Sequence, residues 1–576
     1  MKRAHAERQP RPVAFRLRSG VLLGLLLLAA GGLLARAVEL QLINHDFLVG
    51  QGNARASRVV AETAHRGAIT DRFGEPLAIS TPVDAVSINP RQFAGNPEQL
   101  TLLARAAGVD RPELIRRVSA SQDRDFLYVA RGLQPSDARK VREIGIPGVT
   151  LTREYRRYYP AGEVAGHWIG FTDVDDLGQD GTELANDHWL GGEDGAKRVI
   201  QDSHGDQVED VESIRSVRPG HDLALSLDLR LQYLAYRELE HAVQANNARG
   251  GSIVLIDVQS GEVLAMVNQP TFNPNDRSQL TAADYRNRAE TDLFEPGSSI
   301  KPFFVVAALE SGRFEAGSVI DTNPGYVQVG SVTFADEHNL GAVPISTVLA
   351  KSSNVGMARI ALALEPKQIW GTLSSLGFGQ VTSSGFPGES AGLLSNYAHW
   401  RDIGIATMSH GYGLSVTPLQ LAQAYATIGA YGVRRPVSLT RLDAPVAGER
   451  VLDESVCRSL LYLLETVVIE GTGELAQVPG YRVAGKTGTA YKSEAGGYST
   501  DRYVAVFAGV APVTHPRLAA VVVIDEPNAG LHHGADVAAP VFAAVLGGAL
   551  RLMAVPPDNF QPNHSPLLSN PKLARR

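Results

Sequence analysis

The chain has 576 residues, enough for two or three domains beside any membrane anchor. Basic and acidic residues nearly balance, 54 against 61, and a net charge of −7 leaves no basic surplus to suggest nucleic acid. The one cysteine, Cys457, excludes an internal disulfide, and the fifteen histidines show no metal spacing; only His532 and His533 adjoin.

The amino terminus is basic: Lys2, Arg3, Arg8, Arg11, Arg16 and Arg18 stand against one acid, Glu7. A leucine-rich, uncharged run of 17 residues follows at 19–35 and ends at Arg36. That length is at the lower limit for crossing a bilayer core of about 30 Å. If Arg36 snorkels, Ala37, Val38, Leu40 and Leu42 extend the span. The pattern predicts a transmembrane anchor over 19–42, with 1–18 cytoplasmic and the remainder exported. A cleaved signal peptide is the competing reading, since Ala35-Arg36-Ala37 is small-x-small. The arginine inside that tripeptide and the length of the run count against cleavage.

From about 50 to 218 the pattern is mixed: short strands, turns and one helical stretch near 97–120. Two segments there, Arg66-Gly67-Ala68-Ile69-Thr70-Asp71-Arg72-Phe73-Gly74 and Arg157-Tyr158-Tyr159-Pro160-Ala161-Gly162, read as turns with charged flanks and a structural role. Arg218-Pro219-Gly220 marks a boundary. Beyond it, 223–227 reads as a strand, 229–243 as an amphipathic helix, and 251–257 and 261–266 as two strands joined by a turn. Residues 454–461 are helical in pattern and bury Cys457. Strands are expected at 503–510 and 518–524, beside one carrying Lys486, and a closing apolar helix at 541–553. The expected fold class is α+β, an antiparallel sheet flanked by helices. The proline-containing tail at 556–576 lacks apolar periodicity and is expected to be disordered.

Three short motifs carry the chemistry: Ser298-Ser299-Ile300-Lys301, Ser352-Ser353-Asn354 and Lys486-Thr487-Gly488-Thr489. Each alone is weak. Lysine, however, is scarce, nine against 45 arginines, and Lys301, Lys351 and Lys486 fall in or against these motifs. Arginine cannot be deprotonated in a protein, whereas a desolvated lysine can act as a base. Glu295-Pro296-Gly297 is a turn signal, and Ser298 would open a helix behind it. Residues at i and i+3 share a helix face, which would put the Lys301 amine near the Ser298 hydroxyl. The apolar run after Lys301 predicts burial, which lowers a lysine pKa. Together the motifs are equipment for acyl transfer from a peptide amide to serine.

With these contexts the triple signature resembles the penicilloyl serine transferases, the penicillin-binding proteins and serine β-lactamases. The gap of 134 residues from Ser352 to Lys486 is long, as in the high-molecular-weight transpeptidases. A class A β-lactamase also needs a glutamate in a Glu-x-x-x-Asn stretch there. The only asparagine between Asn354 and Lys486 is Asn396, and Gly392 lies four before it. The two turn segments, with His167 and Gly170 after the second, resemble class B penicillin-binding proteins. So do Ser226-Leu227-Asp228-Leu229-Arg230-Leu231-Gln232 and the stretch from Gly411-Tyr412-Gly413 through Thr417-Pro418-Leu419-Gln420-Leu421-Ala422. The likeness runs from about residue 20 to about 555. It points to the division-specific peptidoglycan D,D-transpeptidases of Gram-negative bacteria, the penicillin-binding protein 3 type.

That resemblance implies a β-lactamase-like transpeptidase domain at 219–555 and a non-catalytic pedestal, the class B dimerisation-like module, at 43–218. Ser298 would be the nucleophile and Lys301 its base. The main-chain N–H groups of Ser298 and Thr489 would form the oxyanion hole. Ser352 would relay a proton to the leaving D-Ala, and Asn354 would hold Lys301 and the substrate amide. Lys486 would polarise the relay. Ser353, Thr487, Gly488, Thr489 and Tyr503 would bind substrate or β-lactam, with Thr487 and Thr489 on the terminal carboxylate. Implied partners are peptidoglycan stem peptides, β-lactams, a SEDS-type glycosyltransferase, other divisome membrane proteins and the inner membrane, with no cofactor and no nucleic acid. The alternatives are a penicillin-sensing receptor, a divisome scaffold paralogue and a membrane-bound β-lactamase. One departure stands out: where relatives carry an aromatic pair beside the aromatic at the Tyr503 position, this chain has His532 and His533.

Overall fold

The computed structural model describes residues 12–48, 50, 57–93, 97–201, 207–278, 280, 281, 283–494 and 496–559. Helix α1 (Pro12–Val38) runs into a π-helical turn at Glu39–Ile43. Together they give a span at Arg16–Ile43, none of it buried, long and apolar enough to cross a membrane. Leu22, Leu26, Leu28 and Leu33 are each more than half exposed, a surface water does not favour. Arg36 is answered within the helix by Glu39 at 2.7 Å. The basic residues before position 12 lie outside the described residues.

Contacts divide the chain into two compact units, and each is interrupted in sequence. The first comprises Met1–Ala64, Pro82–Tyr155 and Glu193–Arg218. Its core of Val86, Phe93, Leu103, Leu114, Val129 and Val141 lies among helices Pro97–Ala107, Arg111–Ser119 and Pro135–Ile144. The single helical stretch expected near 97–120 is two helices. Gly108 takes a left-handed φ of 66°, and Asp110 then caps the second helix through the Glu113 N–H at 3.0 Å. The unit also holds strand Leu127–Leu133, antiparallel to the end of Pro76–Ile88, strand Val149–Tyr158 up to Tyr155, and a three-stranded antiparallel sheet of Ser57–Glu62, Gly195–Gln201 and Gln207–Arg215.

The second unit comprises His65–Thr81, Arg156–Gly192 and Pro219–Arg576. The two turn segments read from sequence belong to it, where the linear boundary at 218 puts them in the pedestal. They meet on one carboxylate: Arg66 and Arg157 donate to the fully buried Glu183 at 2.8 and 2.6 Å. A buried charge needs such pairing, so their role is structural.

The main elements of this unit are α2 (Leu229–Ala245), β1 (Gly250–Asp257), β2 (Val263–Gln269), α3 (Lys301–Glu310), α4 (Asn354–Leu362), α5 (Pro418–Gly429), α6 (Glu454–Glu470), β3 (Ala484–Glu494), β4 (Gly497–Ala511), β5 (Leu518–Asp525) and α7 (Ala539–Leu552). The five strands form an antiparallel sheet in the order β2-β1-β5-β4-β3. Strand alternation splits the sheet between two cores. Ile253, Leu255, Phe507 and Val522 pack with α2 and α7, while Val254, Ile256, Val506 and Val521 pack with α3 and α5. Both faces are therefore covered by helices. The segment Gly534–Leu552, which ends in α7, is long and apolar enough to span a membrane, but more than half of it is buried and it packs in the core.

The strand expected at 223–227 shortens to Leu223–Ala224, because Asp228 caps α2 by accepting the Arg230 N–H and so starts a helix. Cys457 is fully buried in α6, and burial pushes its thiol up to about 12, as an inert structural cysteine requires. The chain is still packed at its last described residues. Asp558 accepts the Arg482 N–H at 2.7 Å, and the Asn559 N–H reaches the Gly480 carbonyl at 3.1 Å. The disorder expected further on falls outside the described residues.

Candidate active site

The nucleophile turn is built by close backbone approach. Gly297 takes a φ of 54°, and a Cβ there would stand 2.9 Å from the Thr489 carbonyl oxygen. Gly488 is as constrained, with its Cβ position 2.6 Å from the Pro296 carbonyl oxygen. Glycine at both positions lets strand β3 lie directly against the turn. Ser298 sits in a single 3-10 turn, Gly297–Ile300, and α3 begins at Lys301 with Pro302 in its first turn. Residues 301–308 of α3 are all buried, which fixes Lys301 in the core. Tyr425, fully buried in α5, braces the turn by donating to the Ser299 carbonyl at 2.9 Å. That explains the sequence stretch ending at Ala422: Thr417 and Gln420 form the capping box that starts α5.

Lys301 is fully buried, and its amine gathers the second motif. Nζ donates to the Ser352 carbonyl at 2.6 Å and to Asn354 Oδ1 at 2.8 Å, and it lies 3.2 Å from Ser352 Oγ. Burial, reinforced by the charge of Lys486, lowers the Lys301 pKa well below the ordinary lysine value. A neutral amine has two N–H donors, which the two oxygens satisfy, and a free lone pair for a hydroxyl proton. Among the described residues, the half-buried Ser298 hydroxyl has no hydrogen-bond partner. The expected contact between it and Lys301 is therefore unmade in the free protein. Unliganded sites commonly tighten only once substrate docks.

Ser352 adopts a φ of 55°, which a non-glycine residue rarely takes and which costs about 1–3 kcal/mol. That backbone puts Oγ between two amines, since Lys486 Nζ is 3.1 Å away on the other side. Lys486 is fully buried too, and burial lowers its pKa to about 7. Ser353 caps α4: its hydroxyl accepts the Gly356 N–H at 2.8 Å and donates to Asp336 Oδ2 at 2.5 Å. Its hydroxyl is so engaged, and only 2% of the residue is exposed.

Two residues that sequence reasoning missed hold this turn. The carboxylate of Asp336 accepts the main-chain N–H groups of Asn354 at 2.5 Å and Val355 at 3.0 Å. His410 stacks on Phe334, with ring centroids 4.9 Å apart, and its Nε2 meets the Asn354 carbonyl at 3.1 Å. Burial lowers the His410 pKa to about 4. Neither residue lies in a motif. Asp336 precedes Asn354 by 18 residues, with no spacing signal to connect them.

On β3, Thr487 Oγ1 meets Thr472 Oγ1 at 2.7 Å, and Thr489 Oγ1 accepts the Gly534 N–H at 3.0 Å. That last bond brings the histidine pair to the strand. His532 stacks on Tyr503 at 4.0 Å, and Tyr491 covers Tyr503 from another side at 4.8 Å. Lys301, Ser352, Asn354 and Lys486 are thus joined in one hydrogen-bonded group. The glycine contacts set Gly488 and Thr489 against the turn that carries Ser298, and the Gly534 bond to Thr489 brings His532 and, stacked on it, Tyr503 alongside.

Residues 251–547 match the penicillin binding protein transpeptidase domain, and 61–225 the penicillin-binding protein dimerisation domain. The chain belongs to the penicillin-binding protein transpeptidase family. It is 45% identical to the peptidoglycan D,D-transpeptidase FtsI of Escherichia coli K12 over 94% of this chain and 92% of that one. The probable peptidoglycan D,D-transpeptidase PbpC of Pseudomonas aeruginosa is 41% identical, over 93% of this chain and 95% of that one. Among solved structures, penicillin-binding protein 3 from Mycobacterium tuberculosis, complexed with aztreonam, is similar with a TM-score of 0.68. It is 28% identical and covers 86% of this chain and 98% of its own. These likenesses extend across both sequence regions, as expected of a class B penicillin-binding protein.

Proposed function

We infer that this protein is a peptidoglycan D,D-transpeptidase that cross-links stem peptides through a serine acyl-enzyme during septal wall synthesis, and that β-lactams acylate the same serine. The observation that carries this reading is Ser352 Oγ held between two buried lysine amines, at 3.2 and 3.1 Å. Ser298 Oγ attacks the carbonyl of the penultimate D-Ala as Lys301 takes its proton. The oxyanion is received by the main-chain N–H groups of Ser298 and Thr489; the Thr489 nitrogen lies 3.2 Å from the Gly297 Cβ position. Losing one such donor typically costs about 3–4 kcal/mol. On collapse the peptide C–N bond breaks, and the proton returns through Ser352 to the departing D-Ala amine. An acceptor amine then attacks the ester, gives its proton to the same relay and frees Ser298.

Asn354 holds Lys301, Lys486 polarises the relay, and Thr487 and Thr489 take the donor carboxylate beside Gly488, with Tyr503 on the rim. Ser353 acts by capping α4. Helix α1 is the anchor in the inner membrane, with the amino terminus cytoplasmic and the catalytic unit periplasmic. A SEDS-type glycosyltransferase and other divisome membrane proteins are the partners this reading carries.

A class A β-lactamase is disfavoured by Gly392, four before Asn396, where its Glu-x-x-x-Asn stretch would need a glutamate. Gly392 takes a φ of 69°, and a Cβ there would lie 2.5 Å from the Ser415 carbonyl oxygen, so the position cannot carry a water-activating glutamate. The test is intact-protein mass after penicillin exposure. One lasting adduct is expected on the wild type and none on Ser298→Ala. An adduct surviving in that variant, or rapid release of hydrolysed penicillin, would sink the assignment.

A further inference from the structure

The residue three before the nucleophile has no part in the chemistry above, yet three segments converge on it. Oε1 of Glu295 accepts the main-chain N–H of Gly413 at 2.7 Å and the hydroxyl of Tyr498 at 3.0 Å. Its other oxygen is buried without a partner among the described residues. Tyr498 belongs to β4, near the tip of the β3–β4 hairpin, past a register shift between Tyr491 and Ser493. Its ring meets the Tyr412 ring edge-on, with centroids 5.3 Å apart at 82°. The Tyr412 hydroxyl in turn accepts the Tyr491 N–H at 3.3 Å, two residues beyond Thr489. Between these tyrosines and the nucleophile, Gly411 accepts the Gly297 N–H at 3.3 Å. Its Cβ position is only 2.0 Å from the Gly297 carbonyl oxygen, so a side chain there is forbidden.

The hairpin tip, the 411–413 loop and the nucleophile turn are thus joined through a single carboxylate. Tyr498 is half exposed, and burial together with Glu295 pushes its hydroxyl up to about 12, so it remains a donor at neutral pH. A charge-assisted bond of this kind is roughly twice as strong as a neutral one. It ties the tip of the hairpin to the turn that carries Ser298.

We propose that Glu295 is a positioning residue which, through Tyr498, holds the β3–β4 hairpin in register with the nucleophile turn for a donor docking along Thr487–Thr489. The proposal rests on the transpeptidase reading, since Thr487 and Thr489 are the residues assigned to the donor. Lys301, Ser352 and Lys486 make no contact with this link. Its loss therefore weakens docking before acylation and leaves the chemical step alone.

The test is stopped-flow acylation of the full-length protein by a fluorescent penicillin, over a concentration series that separates the dissociation constant of the first complex from the acylation rate constant. Tyr498→Phe keeps the ring and removes the hydrogen bond. It should raise the dissociation constant about fivefold and leave the acylation rate constant within twofold. Glu295→Gln retains a carbonyl oxygen that can accept both bonds but loses the charge, so its dissociation constant should fall between those of wild type and Tyr498→Phe, with the acylation rate constant within twofold of wild type. Glu295→Ala should reproduce the docking loss. An unchanged dissociation constant in Tyr498→Phe, or a fall in the acylation rate constant of the same size, would overturn the proposal. A wild type that forms no adduct overturns the transpeptidase reading and this proposal with it. An acylating wild type with an indifferent Tyr498→Phe overturns this proposal alone.

Discussion

Asp336 holds Asn354 by its main chain: one carboxylate oxygen accepts the Asn354 N–H at 2.5 Å, while the other takes the Ser353 hydroxyl. The second motif is therefore a helix amino terminus capped from outside. A negative group there is favoured by the helix dipole as well as by the bonds themselves. The arrangement leaves the Asn354 side chain free to hold Lys301 at 2.8 Å.

Asp336→Ala should accordingly harm both folding and chemistry. Losing a cap typically removes about 1 kcal/mol of stability. The freed turn should also slow acylation by roughly tenfold, equivalent to about 1.4 kcal/mol of barrier. Thermal melts and penicillin acylation rates check the two effects. Wild-type acylation in Asp336→Ala would show that the turn holds itself.

Lys301→Arg should be nearly as inactive as Lys301→Ala, because a guanidinium cannot give up its proton near neutral pH. Guanidinium bulk would also displace Ser352 and Asn354 from around the amine. An arginine variant that acylates within about tenfold of wild type would contradict the role of Lys301 as base.

The two buried lysines predict a bell-shaped pH profile for the second-order acylation rate. The rate rises as Lys301, lowered by burial and by Lys486, loses its proton. It falls as Lys486, at about 7, loses the charge that polarises the Ser352 relay. The limbs belong to the coupled pair and not to either residue alone. Lys486→Arg keeps a charge at all accessible pH, so the alkaline limb should vanish even if the rate is lower. An alkaline limb at the same pH in that variant would assign it to another group.

Glu290, wholly buried beside Ser384 and Glu389, predicts a stability slope. Burial raises its pKa to about 8, so the folded state binds a proton the unfolded state has already lost. The contribution is fully present below the ordinary glutamate range and is lost as pH rises to about 8. Glu290→Gln should therefore melt less pH-dependently than wild type between pH 5 and 8.5 on this account. Parallel Tm curves for the two proteins would show that Glu290 keeps its charge in the fold.

His532 stacks on Tyr503 and carries a pKa below the usual histidine value, from burial and the neighbouring His533. His532→Tyr/His533→Phe adds apolar ring surface at the rim. Acylation by a penicillin with an aromatic side chain should become faster, and its dependence on pH between about 5.5 and 7.5 should flatten. No gain and an unchanged profile would put these rings outside the path of the ligand.

By itself the sequence determined the parts that depend on neighbours along the chain. Short continuous apolar runs marked β1, β2 and β5 within a few positions, as strands covered on both faces require, while β4 begins six residues before the expected 503. The same holds for α2, where Asp228 supplies the cap, and for the uninterrupted apolar span of α1. The three lysine and serine motifs were legible because residue type and short spacing encode the chemistry. The tertiary structure alone decided what spans long separations. It paired the Arg66 and Arg157 segments on Glu183, brought Asp336 and His410 behind Asn354, and assigned the Ser353 hydroxyl to a cap. It also turned the Lys301 amine toward Ser352 and Asn354 while leaving the Ser298 hydroxyl unbonded. Apart from the Ser353 cap on Gly356, three positions on, these outcomes rest on hydrogen bonds and burial between residues 18 to 117 positions apart. No local period records such contacts, because their energy exists only once the backbone has brought the partners together.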